Sequence, residues 1–195
     1  MTFADRPIDE FLDSVASPAV APSAGAVAAV SAASGTALCE MVCVHTVGKE
    51  GYADVEDDLR ERAARLRSLR ARLLELAEAD ARAVESLAGG TGAVAVEEEE
   101  PERRHLVEIP LETAEVCADV LRVAPGAIEE GTDTASEDGA TGVLVVHATL
   151  GSSARLVRAN LDGIEDAAFV AGVRERVRRL EADADDLLER ALANA

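Results

Sequence analysis

Apolar positions along this chain recur at helical rather than strand spacing. Between Tyr52 and Leu87, the residues Leu59, Leu66, Leu73 and Leu87 fall at multiples of seven, and Leu69 and Leu76 fill the adjacent seam. This spacing predicts one long amphipathic helix. The series skips position 80, where the seam carries Asp80. Ahead of it, Ala26 to Val47 is uncharged except for Glu40, and a helix apolar all round is a buried one. Pro7 to Val15 reads as a short amphipathic helix with Phe11, Leu12 and Val15 on one side; "SPAVAPSAG" then stops it, because its prolines and glycine cannot continue a helix. Pro110 to Val123 predicts a further helix, with Pro110 in its first turn. Thr141 to Val157 contains "VLVVHATL", which alone fits a strand, but its length and helical neighbours favour a helix. Ile164 to Leu192 closes the chain with Val173, Val177, Leu180, Ala184, Leu187 and Ala191 on one stripe. The connection "AGGTGAVAVEEEEPERR" is glycine-rich and then acidic, and the second half of "PGAIEEGTDTASEDG" reads as loop. Five or six helices without a strand pattern predict an all-α bundle, and 195 residues fit a single domain over 1–195.

Composition narrows the packing and the setting. Aromatic residues make up only 2%, so Ala, Val and Leu must build the core, which suits closely packed helices. The net charge of −19 repels nucleic acid and anionic lipid. Such a surface is tolerated in concentrated salt, where the Debye length falls to about 3 Å. Acid excess with a single lysine therefore suggests a halophile's cytoplasmic protein, and the charge speaks more of the solvent than of a partner. The N-terminus has no basic targeting region, and the run from Pro18 to Leu38 is Ala/Gly/Ser rather than Leu/Ile, so no membrane span is expected.

Few residues stand out chemically. Lys49 is the one lysine among 19 basic residues, placed after a buried helix, beside Gly48 and just before the only tyrosine, Tyr52. A carboxylate on a leucine seam, as at Asp80, must be paired, solvated in a cleft or shifted in pKa, unless the seam simply frays into water there. Asp138 precedes an apolar helix, and an N-cap is its plainer account. Cys39 and Cys43 share a helix face, but His45 points elsewhere and no second ligand pair follows at zinc spacing; buried thiols and no metal are expected. His147 reads as a hydrogen-bonded core histidine. "GGTGAV" follows a helix and lacks the Lys-Ser/Thr ending of a phosphate loop. Most arginines read as the solvated faces of their helices.

With the helices placed, the segment Val20 to Val55 resembles the start of the cyclodeaminase/cyclohydrolase family. Members carry a P-x-P-G-G-G-S-V-A-A turn entering a small-residue helix that ends in T-x-G-K-K-x-Y. Pro22, Gly25, Val27, Ala28 and Ala29 match the turn; Thr46, Gly48, Lys49 and Tyr52 match the helix end. Asp80 falls where the family has an aspartate after its leucine-rich helix. "IPLETAEVC" is similar to V-P-L-E-x-A-x-x-C, Gly131 and Asp138 match a G-N-x-x-x-x-S-D loop, and Asn160, Leu161, Ile164, Asp166 and Phe169 match I-N-L-x-x-I-x-D-x-x-F. The resemblance runs from about Phe11 to the C-terminus. Departures from it are Ser23, Ala24 and Ala26 in the glycine turn, Glu50, Thr132, Glu137 and Leu156.

The resemblance implies an all-α homodimer acting on a tetrahydrofolate derivative bridged between N5 and N10, without metal. A cyclohydrolase would add water to the methenyl carbon and expel N5, giving 10-formyltetrahydrofolate; a cyclodeaminase would close N10 onto a formimino carbon and release ammonia. Either needs a base, an acid and negative charge near a cationic amidinium. Lys49, Asp80 and Asp138 are the implied catalytic residues, converging on one cleft. Pro22, Gly25, Tyr52, Gly131 and Asn160 are the implied substrate-binding residues. The altered glycine turn and loop leave open a third possibility, a non-catalytic folate-binding or assembly module on the same scaffold.

Overall fold

Six helices, α1 (Ile8–Val15), α2 (Ala24–Thr46), α3 (Glu56–Gly89), α4 (Glu100–Glu129), α5 (Ser136–Asn160) and α6 (Ala167–Leu192), form the described chain, with no strand among the described residues. This computed structural model describes residues 2–89 and 100–193. Most of the glycine-rich and acidic connection, including the rest of "GGTGAV" after Gly89, lies outside them.

Helices α2 to α6 run alternately up and down. Glu40 of α2 accepts from Arg67 and Arg70 of α3 at 2.9 and 3.1 Å, and Ser23 at the start of α2 meets Asp80 far along α3, so these two are antiparallel. Arg62 pairs with Glu130 and Arg72 with Glu112, which sets α3 against α4 in the same sense. Helix α5 returns beside α4, and α6 runs parallel to α4 through Arg104–Asp166 and Arg122–Asp183 pairs. The upper end therefore holds the end of α2 and the start of α5. The lower end holds the start of α2, the far part of α3 and the end of α5.

Small residues set the central contact. A Cβ added to Gly35 would lie 2.7 Å from the Gly142 carbonyl oxygen, and one on Gly142 2.6 Å from that of Gly35, so α2 and α5 cross backbone to backbone. The leucine seam of α3 packs as its spacing predicts: Leu59, Leu66, Leu69, Leu73 and Leu76 are all buried. Cys39, Cys43 and Cys117 lie in the same core. Burial pushes their thiols up, to about 12, 11 and 12, which leaves them unreactive packing residues.

Several expectations from the sequence need correction. Helix α4 extends well beyond Pro110–Val123 in both directions, so Pro110 and Pro125 sit inside it rather than in a first turn. An internal proline leaves the carbonyl four residues back without its donor. For Pro110 that carbonyl is Leu106, and the Asn160 side-chain amide donates to it at 2.8 Å. On α1 only Phe11 is buried; Leu12 faces out at 55% exposure, because one short helix covers the bundle through a single side. Helix α3 begins at Glu56 after a 3-10 turn over Ala53–Val55, and α6 begins at Ala167, where the Asp166 carboxylate accepts from the Ala168 and Phe169 amides.

Candidate active site

Asp80 meets the first turn of α2. Its Oδ2 accepts from the Ala26 amide at 2.8 Å and from the Ser23 hydroxyl at 3.1 Å. Asp80 thus takes the capping role on α2 that the N-cap residue, Ser23, leaves unfilled by its own side chain. Gly25 makes the approach possible, since a Cβ there would lie 2.0 Å from Asp80 Oδ1. Burial raises the Asp80 pKa, and the two donors oppose that rise. The carboxylate is held rather than frayed into solvent. Pro22 is buried just before this turn.

Lys49 lies beyond the other end of α2. Its ammonium donates to the Thr132 hydroxyl at 3.4 Å, and Thr132 in turn meets Thr134 at 3.2 Å while its amide donates to the buried Thr46 hydroxyl at 2.9 Å. Tyr52 is half-buried in the turn that follows, and its amide donates to the Lys49 carbonyl. Gly131 is buried against Val42 and the Ala127 carbonyl. Asp138 is exposed in the first turn of α5, whose N-cap is Ala135, and it accepts no hydrogen bond from the described residues. The plainer N-cap account of Asp138 is therefore corrected: the helix starts earlier than its apolar run, and Asp138 adds negative charge near the positive end of the helix dipole.

One chain thus divides the sequence-derived site in two. Lys49, Tyr52, Gly131 and Asp138 occupy the upper end; Pro22, Gly25, Asp80 and Asn160 occupy the lower. Helix α2 has 23 residues, so at 1.5 Å per residue it is about 35 Å long and holds Lys49 and Asp80 roughly 30 Å apart in one chain. Between the two ends, the exposed sides of α2 and α5 carry mainly small and apolar residues, among them Ala24, Val27, Val145 and Ala148. A groove of about 580 Å³ runs along them, lined by Ala24, Val27, Ser31, Val145, Thr149 and Arg155 among others. Both helices have the length and composition to cross a membrane, and about half of each window is packed inside this bundle.

The chain is matched over residues 7–179 by the family model described as formiminotransferase-cyclodeaminase. It belongs to that family. It is 34% identical to the methenyltetrahydrofolate cyclohydrolase of Methylorubrum extorquens, over 94% of this chain and 92% of that one. It is 28% identical to the formimidoyltransferase-cyclodeaminase of Sus scrofa, over 90% of this chain but 34% of that longer protein. Among solved structures, formiminotetrahydrofolate cyclodeaminase from Thermotoga maritima superposes with a TM-score of 0.91 at 26% identity, over 98% of this chain and 96% of that one.

Two residues that sequence reasoning did not place in the site are the direct partners of its candidates. Ser23 bonds Asp80, and Thr132 bonds Lys49. Both are departures from the family pattern, and that was the available signal. Conversely, the Asn160 amide is already engaged by the Leu106 carbonyl, Asp166 caps α6 and pairs with Arg104, and His147 links α5 to Asp185 of α6 at 2.8 Å. These three hold the bundle together. Among the described residues no cluster of three His, Cys, Asp or Glu is arranged to hold a metal ion.

Proposed function

We propose that this protein is a methenyltetrahydrofolate cyclohydrolase, interconverting 5,10-methenyl- and 10-formyltetrahydrofolate. The observation that carries this is end-to-end similarity to the Methylorubrum cyclohydrolase, 34% identity over 94% of this chain and 92% of that one. Water adds to the methenyl carbon as a base takes its proton; the tetrahedral adduct collapses as N5 leaves with the bonding pair and the formyl group stays on N10. Asp80, held by two donors, supplies negative charge beside the amidinium cation and accepts the proton of water. Lys49 returns a proton to the leaving nitrogen or binds a glutamyl carboxylate of the folate.

We infer further that the working unit is a homodimer in which each site combines the upper end of one chain with the lower end of its partner. Two features support this: the roughly 30 Å separation of Lys49 and Asp80 along α2, and the apolar exposed side of α2 and α5, which a second copy related by a two-fold axis across the helices would cover. The acidic composition supports a cytoplasmic setting in concentrated salt, so assays belong in high salt.

The deciding experiment follows the loss of near-UV absorbance of 5,10-methenyltetrahydrofolate in high salt. Wild type should outpace spontaneous hydrolysis, and Lys49→Ala should lose about a hundredfold in kcat/KM. The likeness to the Thermotoga cyclodeaminase supports a second reading, tested by ammonia release from 5-formiminotetrahydrofolate. Inactivity on both substrates would leave a non-catalytic module.

A further inference from the structure

We propose that Ser23 is a positioning residue for catalysis: its hydroxyl, together with the Ala26 amide, pins Oδ2 of Asp80 and fixes the orientation of the carboxylate, leaving Oδ1 without a hydrogen bond from the described residues. This rests on the assignment of Asp80 to the reacting site.

The geometry around Asp80 is asymmetric. Both donors go to Oδ2, at 2.8 Å from Ala26 and 3.1 Å from Ser23, whereas Oδ1 accepts no hydrogen bond from the described residues and lies over the bare Cα of Gly25. A carboxylate fixed through one oxygen has its other oxygen held in direction, as a base or an electrostatic partner of a cation requires. Ser23 sits at the N-cap of α2 but does not cap that helix, because Asp80 already holds the Ala26 amide. Its hydroxyl is therefore spent on the carboxylate and not on its own helix. No cation among the described residues shares this work. The charged and titratable groups on the elements packed here are Glu78 and Arg82 on α3, Glu102 and His105 at the start of α4 opposite Ala83 and Leu87, and Arg155 on α5 across the groove from Ala24. None of them forms an ion pair with Asp80 among the described residues. With no opposing cation, burial raises the Asp80 pKa, and the Ser23 hydroxyl is the first of the two donors that hold it down.

Removing the hydroxyl should let the Asp80 midpoint climb further. The test is a carboxyl-carbon NMR titration of the full-length protein labelled at aspartate, with the Asp80 signal assigned by its loss in Asp80→Asn. It is run on wild type, Ser23→Ala and Ser23→Thr beside the pH dependence of kcat/KM for methenyltetrahydrofolate. In Ser23→Ala the Asp80 midpoint and the acidic limb of the profile should move up together. The kcat/KM deficit should be about three- to tenfold on that limb and close toward alkaline pH, where both proteins hold Asp80 ionised. Ser23→Thr restores the hydroxyl and should restore both readouts. An unmoved Asp80 midpoint in a folded Ser23→Ala protein overturns the proposal, as does a deficit equal at every pH, which is the mark of a structural contact. Full activity in Asp80→Asn would instead overturn the assignment of Asp80 to the reacting site, and the proposal with it.

Discussion

At the scale of single residues, Asp80 carries opposed demands. It stands on a leucine seam where burial disfavours charge, while two donors and the start of α2 favour it. Burial prevails, so its folded pKa lies above the ordinary aspartate value. The native state then holds this proton to higher pH than the unfolded chain does. The contribution of Asp80 to stability is fully present in acid and is lost as pH rises from about 4 through the folded value. Asp80→Asn keeps an acceptor for Ala26 and removes the buried charge. Its urea midpoint should equal or exceed that of wild type at neutral pH and converge with it in acid, while kcat/KM falls about a hundredfold or more. A variant that loses stability at neutral pH would mean that the charge itself secures α2.

At the scale of elements, Asn160 and Pro110 explain each other. Pro110 has no amide proton for the Leu106 carbonyl, and Asn160 at the end of α5 supplies the missing donor, tying the two helices at the lower end. Asn160→Ala should cost about 1 kcal/mol by urea denaturation, the penalty of a part-buried acceptor that loses its donor. In a Pro110→Ala background the helix supplies its own donor, and the same change should cost much less, which a double-mutant cycle measures directly. If Asn160 binds substrate instead, KM will rise in both backgrounds alike. The periodicity of α4 could not reveal this pairing, because Pro110 normally marks a helix start and its compensation comes from a residue about fifty positions away in sequence.

At the scale of the whole molecule, the division of the site between two ends of one chain gives a sharp test. Lys49→Ala and Asp80→Asn chains should each be inactive as homodimers. Mixed by unfolding and refolding together in high salt, they should recover about a quarter of wild-type activity, since half the dimers are mixed and each of those has one intact site. A site contained within one chain would recover none. The groove along α2 and α5, lined by Val27 and Val145 among others, becomes buried in this arrangement, and light scattering should report twice the 20.3 kDa chain mass.

Hydrophobic period alone determined that this chain is helical: the leucines of α3 and the stripe of α6 each name their buried side, since burial is local to a face, whereas the uncharged run of α2 predicts burial all round and only the tertiary structure leaves about half of it at the surface. The motifs also placed Lys49, Asp80 and Asp138 in their family context. What the sequence left undecided depends on contacts between distant segments. The donor that Pro110 lacks inside α4 comes from Asn160 of α5. The cap on α2 comes from α3, and the partners of Asp80 and Lys49 are Ser23 and Thr132, drawn together only by antiparallel packing. That same packing holds Lys49 and Asp80 at opposite ends of α2, because a straight helix of that length cannot bring its two ends into one cleft.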